Sequence, residues 1–426
     1  MSLSYLFNRT NLANHLKKSW LIRLFLKAWL AILIAIMPFL LTFGQDHTPP
    51  SDSSSVAFLP AVSYTTEVGL AAGGVFNRIS YGSTQPFEQN IALTALASTK
   101  GLIGFNLFLD QPNTFLNKDR LSVNLVTNRF LEDQYYGVYN TAQIELNKQN
   151  KEYLYQSLTF KINLEYLFSF KEWLYYARSK SPIDPDVRSV KAIDRSKSPG
   201  LLWLTSIDYH YKTPWDNNEN SFIMRDKPVG IQGAKALWLG LGGMVDARNH
   251  EFYPTKGWYS KLLLKTTVPY LSTDFTQQLI SSEWRFYTSF QLFLDVVLAQ
   301  RLYYEWSSNN KQLPYWAYPE LGGEDYLRGF ATYRFLANQV WATNTELRTW
   351  LIDLEQLGIR IGGTLFADLG SFSNQAFSTD EWNNNLSYTF GFGGLASFFS
   401  PDFILRADMG FSKEGIGIYL STGILF

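Results

Sequence analysis

The most defined chemistry in this chain of 426 residues lies in Leu321-Gly322-Gly323-Glu324-Asp325-Tyr326-Leu327-Arg328-Gly329-Phe330. Gly322 and Gly323 let the backbone fold tightly, and the turn Leu327-Arg328-Gly329-Phe330 aims one planar, five-donor guanidinium at fixed acceptors. That is ion-pair recognition, with no bond made or broken. Covalent and metal chemistry find little support. There is no cysteine, and of the four histidines His15 and His47 precede the patterned part of the chain. None of the four forms a pair with metal-ligand spacing. His210, with Asp208 on the same face of a strand, is a faint acid–base candidate, and a lumen-facing polar patch is the favoured reading of the two. Gly240-Leu241-Gly242-Gly243 opens no helix and so makes no phosphate cradle. No catalytic residue, metal or cofactor is expected, and the protein is not expected to be an enzyme. A formal net charge of zero argues against nucleic acid, which needs a basic surplus.

The elements that must position Arg328 are strands. From Gly69 onward polar and apolar residues alternate over windows of about ten residues bounded by Gly, Pro, Asn, Asp or Ser, the pattern of transmembrane barrel strands. The alternation predicts sixteen of them, near 68–79, 90–99, 101–111, 119–131, 152–168, 171–180, 200–213, 235–248, 257–269, 274–288, 291–307, 337–351, 357–369, 386–399, 402–412 and 415–426. The expected fold is all-β: a sixteen-stranded antiparallel transmembrane barrel over 61–426, with a long loop folded into the lumen. Residues 1–44 read as a signal peptide. Lys17, Lys18, Arg23 and Lys27 lead an apolar run broken by Pro38, and an anchoring helix is the other reading. Residues 45–60 read as a polar, proline-bearing disordered leader. In the terminal strand Ile416, Ile418, Leu420, Thr422, Ile424 and Phe426 share one face, expected in lipid. Tryptophans near predicted strand ends, among them Trp238, Trp258, Trp284 and Trp350, suit an interfacial girdle. An even strand count puts both termini in the periplasm, so the Arg328 loop is external. On this map 132–151 and 181–199 are long for periplasmic turns.

Leu327-Arg328-Gly329-Phe330 after Gly322-Gly323 resembles the loop-six motif of the BamA/TamA superfamily of outer-membrane proteins, also called the bacterial surface antigen family. Asp246-Ala247-Arg248-Asn249 with Phe252-Tyr253-Pro254-Thr255-Lys256-Gly257 is similar to that family's mid-barrel turn, and Phe366-Ala367-Asp368-Leu369-Gly370 to its late strand motif. Leu405-Arg406-Ala407-Asp408 precedes a last strand whose Ile424 and Phe426 resemble the C-terminal signal read by barrel assembly machinery. The four motifs occur in the family's order.

The resemblance implies that Arg328 contacts carboxylates on the next two strands. Alternation places Glu346 and Asp368 inward on those strands. Asp368 matches the motif directly, Glu346 by strand and facing. The expected role is to lock loop and wall together. Gly69, Gly73 and Gly74 in the first predicted strand and Gly415, Gly417 and Gly423 in the last would meet where the barrel closes. They make either a seam that opens sideways to lipid, as the resemblance implies, or a relief of curvature. The leader is too short for the polypeptide-transport-associated domains the family carries. The implied function is therefore assistance in inserting or translocating outer-membrane proteins, with a partner supplying client capture; a second copy of the chain is one such partner. The location implied is the cell outer membrane. A passive pore, or an anchor for an envelope complex, is the alternative.

Overall fold

A computed structural model describes residues 54–80, 87–116, 119–139, 151–169, 200–215, 219–268, 273–308, 313–354, 359–374, 378–398 and 404–426. The signal-peptide reading of 1–44 and the strand expected at 171–180 lie outside these residues.

Sixteen antiparallel strands close into one barrel, the one sheet form that leaves no unpaired edge in lipid. The first half of the wall is β1 (Ser54–Thr65), β2 (Gly69–Ser80), β3 (Gln89–Ser98), β4 (Ile103–Pro112), β5 (Arg120–Gln134), β6 (Leu154–Phe168), β7 (Leu201–Pro214) and β8 (Ala234–Asp246). It continues through β9 (Gly257–Thr267), β10 (Gln278–Gln291) and β11 (Asp295–Ser307). A long loop holding the two-residue strands β12 (Glu320–Leu321) and β13 (Phe335–Leu336) follows. The wall then resumes with β14 (Gln339–Leu354), β15 (Ile359–Ser373), β16 (Ser387–Phe398), β17 (Ile404–Phe411) and β18 (Ile416–Thr422), which returns to β1.

The barrel is inside-out relative to a soluble core. Phe58, Leu241 and Leu365 stand on its outer face, each more than half exposed, where lipid covers them. Arg328, Arg348, Asp368 and Asp408 lie within it at no more than 0% exposure.

The strand count agrees with the expectation, but two positions differ. Ser54–Thr65, half of it assigned to the disordered leader, is the first strand, paired along its whole length with β2 from Ser54↔Ser80 to Thr65↔Gly69. Its Val56, Phe58 and Val62 point outward and are exposed. In place of the strand expected at 171–180, β6 pairs directly with β7 from Ser157↔Pro214 to Phe168↔Trp203. The two differences cancel in the count. They also change the parity of the strands, so that Arg120–Gln134 is the fifth and Leu154–Phe168 the sixth.

Two girdle tryptophans turn inward instead. Trp238 is buried and donates from Nε1 to Gln277 at 3.2 Å, and Trp350 lies between Tyr253 and the Arg360 guanidinium. Alternation of facing, more than position along the strand, decides between girdle and lumen. Trp258 and Trp284 remain outside and exposed.

Candidate functional site

The loop between β11 and β14 enters the barrel because one of its faces is apolar. Leu321, Leu327, Phe330, Phe335 and Ala337 pack on Val340 and Ala342 of β14 and Phe372 of β15, all buried. The pairing of β12 with β13 closes the base of this plug at Glu320↔Leu336 and Leu321↔Phe335. At its tip α2 (Gly323–Tyr326) delivers the Arg328 turn, after the earlier α1 (Phe222–Asp226) of the β7–β8 connection. A second cluster seats Leu313, Ala317, Tyr318 and Leu336 against Ala236, Trp238 and Phe275. Burying one such side chain is worth roughly 1.5–3 kcal/mol. The apolar face therefore drives insertion, and the polar tip fixes its position.

At that tip Arg328 meets three carboxylates. Its Nε and Nη2 donate to the two oxygens of Asp368 at 2.9 and 2.7 Å, the bidentate geometry a guanidinium favours. Nη1 donates to Glu346 at 2.6 Å and to Asp408 at 3.0 Å. The Phe366 ring lies beneath the guanidinium, 3.4 Å from its centroid. Around this core Asp368 also accepts from Asn344 at 2.9 Å and Thr389 at 3.1 Å, and Glu346 accepts from Arg348 at 2.8 Å. Arg406 ion-pairs with Asp408 at 3.4 Å and with Glu324 of the plug. Burial opposes the charge of Arg328, yet the carboxylates of Asp368, Glu346 and Asp408 hold its proton well above the ordinary range. Three guanidinium groups and three wall carboxylates thus form one dry, nearly neutral lattice.

Sequence reasoning places Glu346 and Asp368 on the inward faces, and both touch Arg328. It misses Asp408 as a third acceptor. Asp408 is also inward in the alternation, but it lies 80 residues from Arg328, and only closure of the barrel brings β17 beside the plug.

The plug tip rests on backbone. A Cβ on Gly410 would come within 2.7 Å of the Arg328 carbonyl carbon and oxygen, and one on Gly417 within 2.7 Å of the Gly329 nitrogen. Gly329 (φ 100°) donates its N–H to the Tyr419 hydroxyl at 3.0 Å, and its carbonyl accepts from Ser412 at 2.8 Å. Gly410→Ala is accordingly expected to lift the tip and destabilise the folded barrel by roughly 1–3 kcal/mol, the usual cost of overpacking. A denaturant midpoint equal to that of the unaltered protein would show that the tip has room to spare.

The seam differs from the expectation. Gly69, Gly73 and Gly74 belong to β2 and pair with Thr65, Ala61 and Pro60 of β1, so they do not meet the last strand. Gly415 sits in the β17–β18 turn, and Gly417 pairs with Gly410 beneath the plug. The closing contact is made by β1 itself through two register pairs, Tyr64↔Leu420 and Thr65↔Tyr419, against twelve between β1 and β2. Thr66 adds a side-chain contact, its Oγ1 accepting from the Ile418 N–H at 2.8 Å. On the periplasmic side of these rungs Pro60, which has no N–H, lies in the part of β1 that has no register pair with β18.

The chain end also departs from expectation. At Gly423 (φ 82°) the backbone leaves the wall, so the alternation of β18 stops at Thr422. Phe426 is 2% exposed and packs with Tyr287 and Ala299 instead of facing lipid. The Arg348 guanidinium lies 4.9 Å from its ring centroid and donates to its carbonyl at 3.2 Å. Ile424 lies in this segment, beyond the strand.

The faint acid–base pair does not assemble. Asp208 accepts from Asn163 and Ser206 and ion-pairs with Lys265 at 3.0 Å, while His210 packs against Trp316 of the plug with ring centroids 4.2 Å apart and planes tilted by 47°. On the plug, burial pushes the Glu320 carboxyl up to about 7; Lys161 pulls it down, and Glu305 and Asp325 push it further up. Its folded pKa thus exceeds its unfolded value. The stability gained by keeping it neutral is complete below the ordinary value of 4.5 and is lost as pH rises through about 7. Plug amides should therefore open more readily at pH 8 than at pH 5 in hydrogen exchange corrected for intrinsic rates. Glu320→Gln should flatten that difference, and an unchanged profile in the variant would assign it to another group.

The sequence profile of the Omp85 superfamily domain matches residues 89–424. No curated protein matches the chain at a significant level. Among solved structures, BamA from Haemophilus ducreyi lacking POTRA domains 1–3 is similar at 14% identity with a TM-score of 0.54, over 87% of this chain and 70% of that one. CdiB from Acinetobacter baumannii is similar at 11% identity with a TM-score of 0.50, over 88% and 66%. CdiB from Escherichia coli is similar at 10% identity with a TM-score of 0.51, over 89% and 68%. At these identities the likeness is one of fold.

Proposed function

Since the chain belongs to the Omp85 superfamily and is an outer-membrane barrel, we propose that it assists insertion or translocation of outer-membrane proteins through the junction of β1 and β18. The observation that carries this reading is the two-rung closure of the wall. Breaking two rungs costs far less than opening any other pair of wall strands, each of which has at least seven. Opening would bare strand edges to which an incoming strand adds by backbone hydrogen bonding. The clamp keeps the rest of the wall fixed while this happens, since Arg328 ties the plug to β14, β15 and β17 at once.

Client capture falls to a partner, and a partner outer-membrane protein or a second copy of the chain is the natural candidate. The pore reading has the plug against it, because the loop folds into the lumen and packs on the wall, with Tyr315 among Tyr135, Tyr155 and Ile223. The test is reconstitution of the full chain in liposomes with an unfolded outer-membrane barrel as client, with and without proteins that co-purify with it. Folded, protease-protected client should accumulate faster than in empty liposomes. Equal rates in every combination would refute the reading, and steady solute-sized conductance in planar bilayers, unchanged by Arg328→Ala, would favour the pore.

A further inference from the structure

Between the plug and the wall formed by β5 to β7 lies a cavity of about 570 Å³, the size of sites that hold a small organic molecule. Its charges are divided between wall and plug. On the wall, Lys161 and His210 are register partners on β6 and β7, and both line the space. The Lys161 ammonium has no hydrogen bond or ion pair among the described residues. The cavity's other lysines are taken, Lys212 by Asp133 at 2.8 Å and Lys265 by Asp208 at 3.0 Å. Beside Lys161, the tilted rings of His210 and Trp316 leave Nε2 and Nε1 without hydrogen-bond partners among the described residues. On the plug, the Glu320 carboxylate lines the same space, also without a hydrogen bond or ion pair among the described residues. Tyr326 and Tyr333 line the same cavity.

Lys161 and Glu320 attract each other across the cavity without a direct hydrogen bond or ion pair among the described residues, so each keeps room for a ligand group of the opposite charge. A simple anion would satisfy Lys161 and worsen the position of Glu320; a simple cation would do the reverse. A molecule bearing both charges satisfies both. We propose that this cavity binds a small zwitterion, a free α-amino acid or a short peptide, with its carboxylate on Lys161 and its ammonium on Glu320. The occupant would bridge wall and plug. The site lies away from the β1–β18 junction, so binding does not depend on that junction opening.

The test is calorimetric titration of the full, detergent-solubilised chain with glycine and with triglycine, beside N-acetylated and C-amidated triglycine. Binding of at least one zwitterion is expected, with each blocked form at least tenfold weaker. Glycine against triglycine decides between amino acid and peptide. Lys161→Met and Glu320→Gln should each weaken binding at least tenfold, while Lys100→Met, in the β3–β4 turn, should leave it unchanged. The comparison of blocked and unblocked ligands uses the unaltered protein, so it stands even if a variant misfolds. Equal affinity for blocked and free triglycine, or no binding of either zwitterion, would overturn the proposal.

Discussion

Arg328→Ala is expected to lower the folding stability of the barrel by roughly 3–5 kcal/mol, the cost of removing one member of a buried ion cluster and leaving its partners charged and dry. Three carboxylates lose a donor in one step, and none has access to bulk water, Asp368 and Asp408 being 0% exposed and Glu346 1%. Glu346 retains Arg348 and Asp408 retains Arg406, so Asp368 is left worst placed, with only neutral donors from Asn344 and Thr389. That asymmetry yields a second expectation. Asp368→Asn alone should destabilise less than Arg328→Ala, and adding it to Arg328→Ala should recover part of the loss, a coupling that a double-mutant cycle measures. The readout is the temperature at which the compact band on unboiled gels converts to the unfolded one. Identical midpoints for Arg328→Ala and the unaltered protein would mean that the apolar plug face alone holds the loop.

A disulfide between Tyr64→Cys and Leu420→Cys should abolish client insertion. These residues are Cα partners across the closing junction, where the usual spacing of paired strands meets the geometry of a disulfide. The chain has no cysteine of its own, so no other bridge can form. The control is Val62→Cys with Ala72→Cys, which fixes β1 to β2 at an equally regular pair and leaves the junction free. Insertion should vanish in the oxidised junction variant, return on reduction, and persist throughout in the control. Full activity of the oxidised junction variant would remove lateral opening from the mechanism.

Much of this architecture is legible in the alternation of side chains, because outward residues must be apolar and inward ones pair with each other. That rule places Glu346 and Asp368 before any coordinates are known. It fails where the local signal is diluted. Ser53, Ser54, Ser55 and Pro60 give β1 the composition of a linker, although Val56, Phe58 and Val62 keep the outward period. Missing that strand made β2 look like the first, and so turned its glycines into seam residues. The rule fails again after Thr422. Ile424 and Phe426 continue the period, but the left-handed backbone at Gly423 redirects the chain, and alternation carries no information about such a turn. Asp408 was visible as inward but not as an acceptor, since its distance from Arg328 depends on which strands become neighbours when the wall closes.

The docking of the last residue has a consequence for how the molecule is made. Phe426 sits under Arg348, and Arg348 shares Glu346 with Arg328, while Asp408 and Tyr419, which also hold the loop tip, lie in the final twenty residues. Without the two strands that carry them, the plug tip has neither the third acid nor the hydroxyl that receives the Gly329 amide. The plug tip therefore completes its contacts only when the last two strands have joined the wall.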